Sequence, residues 1–226
     1  MTVVSHVKRE LAGKGFVLLR EFCPAMAGLD VAATLGVVFD ISTHAPAYRM
    51  DSVQILQPKD KNSRTTNRYH GNFGLEEYPA HNDFAHWHRP PRYLMLRTRV
   101  AAPSVKTHLY TKLDALRVIP ERLINAAIFT ARKNPWGVIP MSMRIEPRCE
   151  GTLRWDSIFI FPVNSAACKC AEIISSDAFK DARMEMSLSG EYDTLLVDNW
   201  TTLHGRGAIA LDSQHPTLEG IYMRDG

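Results

Sequence analysis

The stretch Glu77-Tyr78-Pro79-Ala80-His81-Asn82-Asp83-Phe84-Ala85-His86-Trp87-His88-Arg89-Pro90-Pro91-Arg92-Tyr93 places a histidine and an aspartate two residues apart, just after a turn at Pro79. If the backbone is extended there, alternation puts His81 and Asp83 on one face. An imidazole and a carboxylate converging from one strand edge make two of the three donors of a 2-His-1-carboxylate iron site. The third must come from far along the chain. The segment Leu195-Leu196-Val197-Asp198-Asn199-Trp200-Thr201-Thr202-Leu203-His204-Gly205-Arg206 supplies the best candidate, His204. His86 and His88 also alternate toward one face and are rivals for the same role on spacing alone.

Outward from this stretch the chain reads as many short strands with a few helices. Apolar spacing predicts a helix over residues 3–12, stopped by Gly13 and Gly15, then a buried strand over 16–20 and a helix over 26–38. Alternation predicts a strand over 51–58, followed by a polar loop over 59–73 that includes Arg64 and Arg68. Further strands are expected at 93–100 and 105–110, and Thr111 is placed to cap a helix starting at Lys112. Residues 121–130 read as a second short helix, 137–143 and 157–161 as short β segments, and 166–182 as helical. A strand over 192–199 delivers His204, and the last strand covers 220–224. Without a regular alternation of strand and helix, this pattern points to a mainly β fold with flanking helices (α+β), an antiparallel barrel or sandwich.

Composition narrows the class. At 226 residues the chain is long enough for one domain with a full core, and one domain over residues 1–226 is expected. With 45% hydrophobic and 23% charged residues, disorder and collagen-like repeats are excluded. The net charge of +3 comes from scattered basic residues, so no nucleic-acid groove is indicated. No window reaches the roughly 18 apolar residues of a membrane span, and the first ten residues lack the apolar core of a signal peptide. Cys23, Cys149, Cys168 and Cys170 form no Cys-x-x-Cys pair and are expected to be reduced thiols of a cytoplasmic protein.

Taken jointly, Pro79-x-His81-x-Asp83, Arg89-Pro90-Pro91-x-Tyr93, and Asp198-Asn199 followed by His204-Gly205-Arg206 resemble the clavaminate synthase and taurine dioxygenase group of Fe(II)/2-oxoglutarate-dependent oxygenases. Weaker similarity runs from Gly15-Phe16-Val17-Leu18-Leu19-Arg20 to Arg224, nearly the whole chain. The resemblance implies a double-stranded β-helix (a jelly roll, cupin-like) with Fe(II) held by His81, Asp83 and His204. It implies 2-oxoglutarate and O2 as co-substrates, with hydroxylation of a small polar, anionic or amino-acid-like molecule and release of succinate and CO2. The carboxylate at Asp83 argues against halogenation, since a halide needs that coordination position.

The distal carboxylate of 2-oxoglutarate calls for a planar, permanently charged partner. The resemblance assigns Arg224, on the strand after the distal histidine, with Arg206 as the competing candidate. Thr107 matches a threonine that hydrogen-bonds the co-substrate, although Pro103-Ser104-Val105-Lys106 stands where relatives carry a Gly-Gly pair. Arg64, Arg68, His86 and Arg154 are the candidates on the substrate side, a structural salt bridge being the alternative for Arg154. Two other readings stay open: a catalytically silent jelly roll that binds a ligand or partner, and a cupin-like metalloenzyme that does not use 2-oxoglutarate. The chain is shorter than usual for the group, which implies trimmed lid insertions. The expected partner is a small-molecule substrate, and a homo-oligomer is left open.

Overall fold

Two antiparallel sheets lie against each other, and successive strands of the histidine-bearing segments alternate between them. The computed structural model describes residues 2–45, 50–61, 68–132, 139–146 and 151–225. In chain order its elements begin with α1 (Val3–Lys14), β1 (Phe16–Leu19), α2 (Gly28–Leu35), β2 (Val37–Val38), α3 (Ile41–His44), β3 (Gln54–Leu56), α4 (Tyr69–Phe73) and β4 (Tyr78–His81). They continue with β5 (Tyr93–Val100), β6 (Lys106–Thr111), α5 (Lys112–Val118), α6 (Glu121–Ala126), β7 (Ile128–Ala131), β8 (Met141–Ser142) and β9 (Ile160–Pro162). Last come α7 (Ser165–Ile174), α8 (Asp177–Asp181), β10 (Met184–Ser187), β11 (Thr194–Asp198), β12 (Thr202–Arg206) and β13 (Thr217–Arg224).

The first sheet has the order β1-β11-β5-β13-β2, with β3 also paired to β13; the second is β10-β6-β12-β4; a small third sheet is β8-β7-β9. From β4 to β5 to β6 the chain passes from the second sheet to the first and back, and from β11 to β12 to β13 it crosses twice more. Alternation along each strand explains how unbroken apolar runs serve two cores. In β5, Leu94 and Leu96 turn inward and join Phe16, Leu195 and Val197 of the first sheet with Leu109 of the second. Met95 turns outward, where Val7 and Leu11 of α1 and Val31, Ala32 and Leu35 of α2 cover Val17, Leu196, Ile221 and Met223. Behind the second sheet, Tyr110 and Leu203 pack with Ile119, Ile124, Phe129 and Phe179.

Local chemistry sets the boundaries. The Thr2 side chain caps α1 by accepting from the Ser5 amide, and Gly15 ends it at φ 83°, a left-handed conformation suited to glycine. A Cβ at Gly15 would also sit 2.2 Å from Thr202 Oγ1. Thr111 and Asp114 form a capping box at α5.

Several expectations are corrected. The helix predicted over 121–130 stops at Ala126, and Ile128–Ala131 becomes β7, central in the third sheet. There Phe129 and Thr130 are buried, so pairing on both sides overrides the helical spacing of Leu123, Ile124 and Ile128. The single helix over 166–182 is two, because the Ser176 side chain accepts from the Phe179 amide and starts α8. The helix over 26–38 is α2 followed by β2. The strand over 192–199 ends at Asp198, and His204 sits on a strand of its own, β12. The polar loop over 59–73 contains the short helix α4. Arg64, residues 137–138 and Cys149 lie outside the described residues. Among those described, no helix is long and apolar enough to cross a membrane.

A candidate metal centre between the sheets

β4 ends on His81, and β12 places His204 directly across from it in the antiparallel register. The approach of these strands needs Gly205, since a Cβ there would lie 2.5 Å from the Tyr78 carbonyl. Asp83 follows β4 in a turn rather than on the strand, yet its carboxylate reaches both rings. Asp83 Oδ1 is 3.6 Å from His81 Nε2 and Oδ2 is 3.5 Å from His204 Nε2. One ligand atom from each residue lies within 4.8 Å of the others. His81 Nδ1 lies 2.8 Å from the Pro79 carbonyl, which fixes a proton on Nδ1 and leaves Nε2 as the atom turned to Asp83 and available to a metal. His204 Nδ1 is buried without a hydrogen-bond partner among the described residues. The donor set, two imidazole nitrogens and a carboxylate converging in a largely buried place, fits a divalent iron.

Two asparagines lock the turn that carries Asp83. The Asp83 amide donates to Asn199 Oδ1 at 2.9 Å, and Asn199 Nδ2 donates to the carbonyls of Asp83 at 3.0 Å and Pro91 at 2.9 Å. Asn82 donates its side-chain amide to the Asn199 carbonyl and accepts from the Trp155 amide at 2.8 Å. Neighbouring Asp198, buried, pairs with Arg92 at 3.2 Å, and Trp200 Nε1 donates to the Pro90 carbonyl at 3.0 Å. The Asp198-Asn199 pair was visible in the sequence as a motif; its job, bracing the 82–92 segment from a distant strand end, was not.

Burial pushes the Asp83 carboxyl up, but the His204 and His81 imidazoles outweigh it and hold the group well below the usual carboxylate range. His204 is lowered by burial and by the neighbouring His81, while His81 is raised because Asp83 overcomes its own burial. Tyr222 of β13 donates its hydroxyl to Asp83 Oδ2 at 2.9 Å. Burial and the Asp83 charge raise this phenol well above its ordinary value, so it stays protonated. Tyr69 stacks on His81 with ring centroids 4.0 Å apart. Neither tyrosine was singled out from the sequence.

The other candidates separate. By alternation along β12 and β6, Arg206 shares the His204 face, and Thr107 stands opposite Arg206 in the register. The Arg206 guanidinium lies 3.7 Å over the Tyr78 ring and donates through Nη2 to the Gly74 carbonyl at 2.8 Å and to the Glu76 carbonyl at 2.6 Å. Arg224 is exposed near the end of β13, opposite Val37. Arg154 is buried and not turned to open space. It donates to the carbonyls of Ala85, Trp87, His88 and Ser142, which fixes the segment after Asp83. His86 is half-buried with its ring 5.2 Å from Phe159, and burial followed by the Arg154 charge pushes its imidazole down to about 4. Arg68 is exposed at the start of α4.

Solved structures share this architecture. The fold is that of iron/2-oxoglutarate oxygenases. An asparagine oxygenase in complex with Fe(II), (2S,3S)-3-hydroxyasparagine and succinate superposes with a TM-score of 0.73 at 18% identity, covering 98% of this chain and 78% of that one. The non-haem iron oxygenase OrfP with Fe, succinate and (3S)-hydroxy-L-Arg gives 0.68 at 16% identity, covering 99% and 81%. PvcB, an Fe, α-ketoglutarate-dependent oxygenase from an isonitrile synthetic pathway, gives 0.61 at 15%, covering 98% and 80%. No family model and no curated protein sequence matches the chain.

Proposed function

We propose that the chain is a single-domain, jelly-roll Fe(II)- and 2-oxoglutarate-dependent dioxygenase that hydroxylates a small polar, amino-acid-like molecule. The convergence of His81, Asp83 and His204 from β4, the following turn and β12 carries this reading. Iron(II) at such a centre supplies the oxidative decarboxylation of 2-oxoglutarate to succinate and CO2, coupled to hydroxylation of the substrate. The crossing of the chain between the two main sheets supports the jelly roll. The substrate class rests on the similar structures, two of which carry hydroxylated asparagine or arginine.

In this reading His81 and His204 present neutral nitrogens and Asp83 presents a charged oxygen. Asn82 and Asn199 hold the Asp83 turn in place. For the distal carboxylate of 2-oxoglutarate, Arg206 is better placed than Arg224. It lies on the His204 face with Thr107 opposite. Arg224 is exposed, beyond Tyr222 on β13.

The test is succinate formation from 2-oxoglutarate by the iron-loaded protein in air, with candidate amino acids added. Wild type should form succinate and Asp83→Ala should form none. Succinate formation that persists in Asp83→Ala would refute the assignment.

A further inference from the structure

On β13, Ile221 and Met223 enter the core beneath α1 and α2. Alternation therefore turns Tyr222 to the opposite face, toward the second sheet. Its ring is held edge-on to Phe84 at 5.1 Å between centroids, and its hydroxyl lies 2.9 Å from Asp83 Oδ2. The two imidazoles that face the same carboxylate, at 3.5 and 3.6 Å, are themselves the nitrogen ligands. Once they turn their lone pairs to a metal, neither can donate to Asp83. Tyr222 is a neutral donor that keeps its bond whether or not a metal is bound.

A carboxylate beside a metal has two choices, to ligate through one oxygen or to chelate through both. A donor fixed on one oxygen biases the first. We propose that Tyr222 is a positioning residue that holds Oδ2 of Asp83 by hydrogen bonding and so presents Oδ1 as the single ligating oxygen, keeping the adjacent coordination positions free for the keto acid. This rests on the iron(II) reading of the site.

Partners of metal ligands of this kind are worth about 10–100-fold in metal affinity. Removing the hydroxyl lets the Asp83 side chain swing or chelate. Swinging lowers metal affinity, and chelation lowers the apparent affinity for 2-oxoglutarate, because a chelating carboxylate competes for a position the keto acid needs.

The experiment measures Mn(II) binding by the loss of the free-ion paramagnetic resonance signal, for wild type, Tyr222→Phe and protein carrying 3-fluorotyrosine at position 222. Melting of each metal-free form is followed in parallel. The Tyr222→Phe dissociation constant should rise about 10–100-fold with little change in metal-free melting, and the fluorotyrosine protein, which keeps the donor, should bind like wild type. If Tyr222→Phe melts early, its Mn(II) constant is read below its melting range, where the folded protein still decides; weak binding of the fluorotyrosine protein despite its intact hydroxyl also overturns the role. Equal Mn(II) affinity in wild type and Tyr222→Phe overturns the positioning role alone. Absence of Mn(II) binding in wild type overturns the metal centre and the role with it. A visible phenolate-to-iron band on ferric loading of wild type, lost in Tyr222→Phe, would make Tyr222 a ligand and also overturn the proposal.

Discussion

Replacing Asn199 by alanine should loosen the metal centre without touching a ligand. Its side chain makes three hydrogen bonds, at 2.9, 3.0 and 2.9 Å, to the Asp83 amide and the carbonyls of Asp83 and Pro91. Asn199 is fully buried, so water replaces few of these. A buried polar group left without its partner costs about 1–3 kcal/mol. The Asp83 turn is half-buried, so some relief comes from solvent, and a total of about 3 kcal/mol is expected. For a chain of this size each kcal/mol lowers the melting temperature by about 2–4 °C, which predicts a drop of about 6–12 °C. Asn199→Asp should do no better: it keeps an acceptor for the Asp83 amide but loses both donors and sets a negative charge against two carbonyls. Calorimetry of the metal-free proteins measures the drop, and Mn(II) titration measures the accompanying loss of affinity. A melting temperature within about 2 °C of wild type, with unchanged Mn(II) affinity, would refute the view that Asn199 braces the Asp83 turn.

Two further outcomes follow from the same geometry. Arg206→Ala should weaken 2-oxoglutarate binding about 10–100-fold, the loss of one or two charge-assisted hydrogen bonds, while Arg224→Ala leaves it near wild type; calorimetric titration checks this, and the reverse order would return the anchor to Arg224. His86, pushed down to about 4 from its ordinary 6.5, binds no proton in the folded state where the unfolded chain already does. Stability is therefore full above about pH 6.5 and falls as pH drops toward 4, by up to about 3 kcal/mol. In urea melts at pH 7.5 and 4.5, His86→Phe should lose less than wild type; an equal loss in both would contradict this.

The candidate ligand set was legible through the joint motif that carries the family resemblance, not through strand alternation, since Asp83 lies in a turn after β4. His81 and Asp83 are two apart, and His204 follows the Asp198-Asn199 pair by five residues. What supports the ligands is a long-range matter. Tyr222 meets Asp83 across 139 residues, and nothing local at Gly220-Ile221-Tyr222-Met223-Arg224 marks which residue faces inward until β13 is paired with β5. Arg154 illustrates the reverse problem. Its likeness to an arginine-bearing strand of the resembled group suggested a pocket, with a structural salt bridge as the alternative; burial and four carbonyls around it give it a structural task instead. The strand at Ile128–Ala131 was hidden because Ile124 and Ile128 keep helical spacing, and only pairing with β8 and β9 decides against the helix.

The most direct test of the central claim is an anaerobic titration of the metal-free protein with Fe(II) and 2-oxoglutarate, followed by visible absorption. A centre built from His81, Asp83 and His204 should develop the weak charge-transfer band of an iron-bound keto acid, saturating near one equivalent of iron and absent in His204→Ala. No band in wild type, or a band of equal strength in His204→Ala, would contradict it.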